Sequence, residues 1–154
     1  MMEDNTLWMM TEDKVPWVNS YANEDIKLGV RLKKETNDCS VRSFAVVWGV
    51  SYERAHSHLQ NFGGRKHRKG LSCEMMDTAN EWCKKTLMKK GPYSETNRIS
   101  LKSFCEKHPV GRYWVGVSGH ALAVIDGVVH DYKYGPRRQV TLAWRVYGPK
   151  EEIK

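Results

Sequence analysis

Residues 119–132 read GHALAVIDGVVHDY, and this stretch decides the fold. The segment 119–125 is almost continuously apolar, as a strand buried at the centre of a sheet would be. It leads into Asp126-Gly127, a dipeptide typical of a two-residue hairpin turn, after which a second strand returns. The stretch therefore predicts an antiparallel hairpin with a histidine near its start and an acid near its end.

The register of this hairpin places His120 and Asp131 on one face of the sheet. A two-residue turn pairs Leu122 with Asp131, and residues two apart along a strand share a face. Asp131 is then diagonal to His120, at a separation that a hydrogen bond to the imidazole can close. His130 points to the opposite face and Asp126 belongs to the turn, so neither is as well placed to orient His120.

Helical periodicity precedes the hairpin. From Cys39 onward, apolar residues recur at i, i+3, i+4 and i+7, which predicts a helix that ends at 49–50. Serines at helix-capping positions and breaks in the apolar pattern delimit three more predicted helices. These three lie at 52–62, from 72 to about 85, and from 100 to before 108.

Strands complete the predicted sheet. Residues 113–118 and 139–147 flank the hairpin, and residues 26–32 alternate apolar and polar side chains as a short strand would. Helices that precede an antiparallel sheet along the chain are typical of an α+β fold. We therefore expect an α+β fold in which N-terminal helices pack on a C-terminal antiparallel sheet.

Length and composition agree with a single folded domain. The chain has 154 residues, of which 40% are apolar and 28% are charged. We expect the domain to span 28–149, with a partly packed N-terminal segment at 1–27 and a tail at 150–154. No apolar run approaches the roughly 18 residues of a membrane span, and acids near the N-terminus are untypical of a secretory signal. We therefore expect a cytoplasmic protein without a membrane partner.

Cys39 follows Asn37-Asp38, residue types that begin helices, and so lies at the first turn of a predicted helix. The unpaired N–H groups and the dipole of a helix start favour the thiolate form of a cysteine. Taken alone, however, Cys39 is better explained as a core thiol, because free cysteine is among the most buried residue types. His120 and Asp131 shift this balance, since a thiol, a histidine and an orienting acid form an activated nucleophile.

The other cysteines are Cys73, Cys83 and Cys105, and no two cysteines form a C-x-x-C pair. In a reducing cytoplasm all of them are expected to be thiols. No spacing of Cys and His matches a zinc site, so we predict no metal and no cofactor.

The order of these motifs resembles the papain-like superfamily of cysteine peptidases. Residues 37–39 open a helix, residues 119–121 begin a strand, and Asp131 lies on the next strand. Within the superfamily, the chain is similar to small phage-encoded papain-fold proteins and to bacteriocin-processing leader peptidases. The likeness covers roughly residues 35–133 and implies a papain-like fold with a nucleophile helix packed on the sheet.

The resemblance also implies roles for individual residues. Cys39 would be the nucleophile, His120 the general base and Asp131 the acid that orients it, with Asn37 as a side-chain donor to the oxyanion. A cysteine hydrolase that cleaves a peptide or isopeptide bond follows, in a phage protein acting on a substrate in the host cytoplasm. The superfamily also contains amidases, transglutaminase-like acyl transferases and inactive members. A related thiol-dependent amidase or acyl transferase is therefore an alternative, as is a catalytically inactive protein that binds a host protein.

A basic loop at 65–69 contributes much of the net charge of +7. Its charges, on Arg65, Lys66, Arg68 and Lys69, are suited to contact the rim of a substrate or an anion such as a nucleic-acid phosphate. The loop has no interleaved aromatic residues of the kind that stack on bases. A substrate rim or a solvated connection is therefore favoured over nucleic-acid binding.

Overall fold

The computed structural model describes residues 8–10, 16–72, 75–76, 79, 89–90 and 99–146. Within these residues the fold is α+β, as predicted. The four helices described in full are α1 (Glu24–Lys33), α2 (Cys39–Trp48), α3 (Tyr52–Phe62) and α4 (Leu101–Lys107). The strands are β1 (Trp8–Met10), β2 (Pro16–Asn19), β3 (Lys89–Lys90), β4 (Ile99–Ser100), β5 (Arg112–Val117), β6 (His120–Ile125), β7 (Val128–Asp131) and β8 (Gln139–Val146).

These strands form one mixed sheet in the order β1-β2-β7-β6-β5-β8-β3, and β4 pairs with β8 beside this path. The prediction of a wholly antiparallel sheet is wrong, because β2 lies parallel to β7. A parallel partner needs no tight turn, so no local turn signal marks this pairing in the sequence. The consequence for the site is that Asn19 lies directly beside Asp131.

The hairpin of β6 and β7 has the predicted register. Ile125 pairs with Val128 and Val124 pairs with Val129. Both turn residues have left-handed backbone angles, with φ of 51° at Asp126 and 77° at Gly127. Such a pair is typical of a two-residue type I′ turn, which matches the twist of the flanking strands.

The strand predicted at 26–32 is wrong, because these residues lie in α1. Asn23 caps the helix by accepting a hydrogen bond from the backbone N–H of Ile26 (3.0 Å), and two acids follow in the first turn. Ile26 is buried, whereas Leu28 and Leu32 are exposed, the latter at 68%. The alternation of apolar residues therefore did not mark one face of a strand.

The helices cover both faces of the sheet. One core cluster joins α2 and α3 to Trp114, Ala121, Ala123 and other sheet residues. A second cluster packs α4 against the opposite face. No helix in the described part of the chain is long and apolar enough to cross a membrane.

The predicted helices at 39–50, 52–62 and 100–108 are confirmed as α2, α3 and α4. Residues 75–76 and 79 are helical, and the Ser72 hydroxyl accepts a hydrogen bond from the backbone N–H of Met75 (3.2 Å). The remaining residues of the helix predicted from 72 to about 85 lie outside the described residues, as does residue 147 of the last predicted strand. The division into 1–27, 28–149 and 150–154 stays a prediction.

Candidate active site

Cys39 is the first residue of α2, and the helix begins there without a side-chain cap. Asp38, the residue at the capping position, accepts hydrogen bonds from the Tyr52 hydroxyl (2.8 Å) and from Arg42 Nε (3.1 Å). The carboxylate therefore does not serve the first backbone N–H groups of α2. Uncapped N–H groups at a helix start are suited to receive an anion, and Cys39 lies among them, half-buried.

His120 begins β6, the strand on which α2 packs. The backbone N–H of Ala121 donates to the Cys39 sulfur (3.4 Å), and the Cys39 side chain lies close enough to the His120 imidazole to help raise its pKa. The imidazole is mostly covered, with 16% of the side chain exposed. The packing of α2 against β6 thus brings together two residues that are far apart in sequence.

Asp131 lies behind His120, at the end of β7. Both of its carboxylate oxygens are 2.9 Å from His120 Nε2, which donates to them. The carboxylate is almost fully buried, at 1% exposure. Because Nε2 is engaged by Asp131, Nδ1 is the imidazole nitrogen left to face Cys39. The structure therefore brings together Cys39, His120 and Asp131, while their catalytic roles stay predictions.

The charge state of His120 follows from these contacts. Burial lowers the pKa of His120, but the hydrogen bonds to Asp131 and to Cys39 outweigh burial and raise the pKa to about 9. The imidazole is therefore protonated at neutral pH. A positive imidazolium beside a thiol favours the thiolate.

Two tyrosines line the site. The rings of Tyr21 and Tyr132 lie 5.2 Å apart, and the Tyr132 ring stands edge-on to His120 at 5.4 Å. The Arg42 guanidinium lies over the Tyr21 ring at 4.0 Å. Burial, followed by the charges of Asp131 and Cys39, raises the pKa of Tyr21, so its phenol stays protonated.

Sequence reasoning missed Arg138, which donates from Nη1 to Asp131 Oδ2 (2.9 Å). It also missed the ring of Tyr21, which comes from the short 3₁₀ turn Ser20–Ala22 between β2 and α1. Neither residue belongs to a local motif. Tyr21 lies at the site because β2, which precedes it, pairs in parallel with β7. No pattern in the sequence marks that pairing.

Asn37 lies apart from the reacting groups. Its Nδ2 donates to the backbone carbonyl of Arg68 (3.2 Å), and the residue is exposed with a φ of 51°. The side-chain amide thus serves the basic loop. Its part in an oxyanion hole stays a prediction.

The basic loop contains one residue that differs from the rest. Arg65 is 3% exposed, and its two terminal nitrogens donate to Glu35 at 3.0 and 2.9 Å. The prediction that Arg65 contacts a substrate or an anion at the surface is therefore wrong, because its guanidinium is buried against the Glu35 carboxylate. Lys66, Arg68 and Lys69 are exposed, and their contact with a substrate or an anion stays a prediction.

The remaining histidine and acid of the hairpin do not join the site. His130 is a covered residue on the other side of the sheet, and burial followed by the charge of Arg112 lowers its pKa to about 4. Asp126 accepts a hydrogen bond from the backbone N–H of Gly111 (2.8 Å). The hairpin register therefore singles out Asp131 as the acid behind His120.

Two further observations bear on the chemistry of the site. Among the described residues, no group of three or more His, Cys, Asp or Glu side chains is arranged to hold a metal ion. Cys105 is buried, and burial raises its pKa to about 12, whereas Cys73 and Cys83 lie outside the described residues. Comparison of the chain with protein-family models, with curated proteins and with solved structures gives no match.

Proposed function

We propose that the protein is a papain-like cysteine hydrolase that cleaves a peptide or isopeptide bond. The observation that carries this proposal is the position of His120 between the Cys39 side chain and the Asp131 carboxylate. A nucleophile, a base within hydrogen-bonding reach and a group that orients the base form the arrangement that activates a thiol. The order of the three residues along the chain supports the likeness to the papain-like superfamily.

Acylation would begin with attack of the Cys39 thiolate on the carbonyl carbon of the substrate. The carbonyl oxygen would gain negative charge and be stabilised by the uncapped N–H groups at the start of α2. When the tetrahedral intermediate collapses, the C–N bond breaks and His120 gives its proton to the leaving amine. The product of this half-reaction is a thioester on Cys39 and a neutral His120.

Deacylation would return the enzyme to its starting state. Neutral His120 would take a proton from a water molecule as that water attacks the thioester carbonyl. Cleavage of the C–S bond then releases the carboxylic acid product and restores the thiolate beside the imidazolium. Asp131 would hold the same ring orientation in both half-reactions, because its oxygens engage Nε2 and leave Nδ1 to exchange protons.

The setting of this activity is also a proposal. The likeness to small phage-encoded papain-fold proteins suggests a phage protein that acts on a protein or peptide in the host cytoplasm. Exposed Lys66, Arg68 and Lys69 would then lie near the substrate, because Asn37, two residues before Cys39, contacts the loop that carries them.

Acyl transfer from p-nitrophenyl acetate tests this function without knowledge of the natural substrate. We expect a burst of nitrophenolate equal to the amount of protein, and an acetyl group on Cys39 by peptide mass mapping. Cys39→Ser should abolish the burst, whereas Cys105→Ser, which removes a buried thiol, should leave it unchanged. Acetylation spread over several cysteines, with no dependence on Cys39, would rule out the proposed nucleophile and favour a binding protein.

A further inference from the structure

We propose that Arg138 is a positioning residue for the reaction, which holds the Asp131 carboxylate in place behind His120. This inference rests on the proposed function of the Cys39 site. Arg138 touches neither the sulfur nor a reacting atom in the described contacts, so it would act through Asp131 alone. It lies in the loop between β7 and β8, where no sequence motif draws attention to it.

The guanidinium of Arg138 is held by several acceptors at once. Nη1 donates to Asp131 Oδ2 at 2.9 Å. Nη2 donates to the backbone carbonyls of Lys133 (3.2 Å) and Tyr134 (2.9 Å), and Nε donates to the carbonyl of Gly135 (3.2 Å). Three backbone acceptors fix the plane of the guanidinium, so its position does not depend on Asp131.

Gly135 leaves the space that this guanidinium occupies. A Cβ on residue 135 would lie 2.3 Å from Nε and 2.8 Å from the Cζ of Arg138, closer than real Cβ contacts allow. The residue also has a φ of 53°, in the left-handed region that favours glycine. The loop is therefore shaped around the arginine, and any side chain at 135 would displace it.

The same loop is anchored from its other side by the start of α4. The backbone N–H of Leu101 donates to the carbonyl of Arg138 (2.7 Å), and that of Lys102 donates to the carbonyl of Pro136 (3.0 Å). These bonds also serve N–H groups at the start of α4, which have no partner within the helix. Arg138 is thus a fixed cation beside a buried carboxylate.

The charges around Asp131 show what this cation would do. The titratable and charged groups around the carboxylate and its partner are His120 on β6, Cys39 and Arg42 on α2, Tyr21 on the 3₁₀ turn and Arg138 in the loop, while Lys133 lies over the Tyr132 ring. With Cys39 as thiolate, the series Cys39, His120, Asp131 and Arg138 alternates in sign. Without Arg138, the charge of Asp131 would act on His120 alone.

The consequence concerns the proton on His120. The positive charge of Arg138 repels the proton on His120, because both cations lie against the same carboxylate. Loss of Arg138 should therefore make His120 bind its proton more tightly and donate it less readily to a leaving amine. The carboxylate would also lose the contact that fixes its rotamer, and the orientation of the imidazole would become less precise.

The test compares Arg138→Gln with Arg137→Gln, which removes the same charge from the exposed neighbouring residue. The readouts are the pH profile of acyl transfer from p-nitrophenyl acetate and the titration of His120 by NMR. We expect Arg138→Gln to slow steady-state hydrolysis of this ester about tenfold at neutral pH, because deacylation needs a neutral His120, and to move the His120 titration upward by about one pH unit. Arg138→Lys should recover part of both effects, and Arg137→Gln should behave as the unaltered protein does.

Gly135→Ala provides a second route to the same result, because it displaces the guanidinium and leaves the arginine in place. Gly49→Ala is its control, since residue 49 has a comparable φ of 70° but a Cβ there meets nothing within 4 Å. We expect Gly135→Ala to shift the His120 titration in the same direction as Arg138→Gln, and Gly49→Ala to leave it unchanged. If Arg138→Gln does not fold, the comparison of Gly135→Ala with Gly49→Ala tests the proposal in its place.

An unmoved His120 titration in folded Arg138→Gln or Gly135→Ala protein would overturn the proposal, as would an equal shift in Arg137→Gln. Failure of the proposed function would give a different experimental result. In that case acyl transfer is absent from the unaltered protein, whereas the NMR titration still reports whether Arg138 acts on His120 through Asp131.

Discussion

In the described part of the chain, two buried carboxylates are each hydrogen-bonded by an arginine and a histidine, yet only one of the two groups contains a candidate nucleophile. The two sets are the Glu35 cluster (Glu35, Arg65, His56) and the Asp131 cluster (Asp131, Arg138, His120). Their charges and hydrogen-bond donors are of the same types. What differs is the neighbour of each histidine.

In the Glu35 cluster, the carboxylate is surrounded by hydrogen-bond donors. Glu35 accepts hydrogen bonds from His56 Nε2 (2.6 Å), from Arg65 and from the backbone N–H of Arg68 (3.1 Å). Burial raises the pKa of Glu35, but the hydrogen bonds from Arg65 and His56 outweigh it and lower the pKa to about 2. The cluster connects the segment before Cys39 to the basic loop, and this is a structural role.

The Asp131 cluster is open at its histidine. His120 keeps 16% of its side chain exposed, and its second partner is the Cys39 side chain. His56 is 9% exposed, and its partners are the Glu35 carboxylate and the ring of Tyr52. A buried carboxylate with an arginine and a histidine therefore does not by itself make a candidate active site. A thiol and an opening to solvent distinguish the two clusters.

The largest expected effect comes from substitution of the two histidines. His120→Gln should slow acyl transfer by about 10²- to 10⁴-fold, because it removes the general acid and base. His56→Gln should leave acyl transfer per folded molecule unchanged and lower the free energy of unfolding. Steady-state and burst kinetics, combined with urea denaturation, measure both quantities for each variant. A large loss of activity in folded His56→Gln would contradict the assignment of separate roles.

The next largest effect is on stability. Arg65→Met should lower the free energy of unfolding by about 3–5 kcal/mol, because it leaves a buried carboxylate without its main partner. Lys66→Met is the matched control, since Lys66 is exposed in the same loop and should change stability by less than about 0.5 kcal/mol. Equal urea midpoints for the two variants would show that the Glu35 cluster does not stabilise the fold.

A smaller effect is expected from removing the charge of Asp131 without changing its shape. Asp131→Asn should slow acyl transfer about tenfold and lower the pKa of His120 from about 9 toward its ordinary value of 6.5. The alkaline limit of activity should move down with it. This shift is opposite in sign to the one expected for Arg138→Gln, so the two variants together test the charge order of the cluster. An upward shift in Asp131→Asn would contradict that order.

The last expected effect is the response of stability to pH, which should differ in direction between the clusters. Glu35 has a lowered pKa, so its contribution is present above its ordinary value of 4.5 and is lost as the pH falls toward 2. His120 has a raised pKa, so its contribution is present below 6.5 and is lost as the pH rises through about 9. Each loss is at most about 3 kcal/mol, at about 1.4 kcal/mol per pKa unit.

Urea midpoints measured across this pH range separate the two contributions. Glu35→Gln should flatten the acid side of the stability profile, and His120→Gln should flatten the alkaline side. If either substitution changed the slope on the other side instead, the charge states assigned to the two clusters would be reversed.

Local patterns in the sequence predicted the parts of the structure that local contacts determine. The Asp126-Gly127 turn has a specific backbone preference, so the hairpin register and the pairing of His120 with Asp131 followed from it. The alternation at 26–32 misled because only Ile26 of its apolar residues is buried, whereas Leu28 and Leu32 are exposed. The cap at Asn23 carried the correct information about α1.

Long-range partners were beyond such reasoning. Arg65 meets Glu35 across 30 positions of sequence, and a charge in a basic loop gives no sign that it is buried. Arg138 reaches Asp131 through a loop whose shape depends on Gly135, a residue that resembles any other turn glycine in sequence. Tyr21 enters the site only because β2 pairs in parallel with β7. Each of these contacts depends on tertiary packing rather than on a pattern.

The most direct test of the central claim is the rate of iodoacetamide alkylation of each cysteine as a function of pH. Cys105 is an internal reference for an unreactive thiol, because burial raises its pKa to about 12. We predict that Cys39 is alkylated rapidly at pH 6, well below the usual thiol pKa of about 8.5, and that His120→Gln abolishes this early reactivity. A Cys39 rate that rises only through about pH 8.5, and is no faster than that of Cys73 or Cys83, would contradict an activated nucleophile.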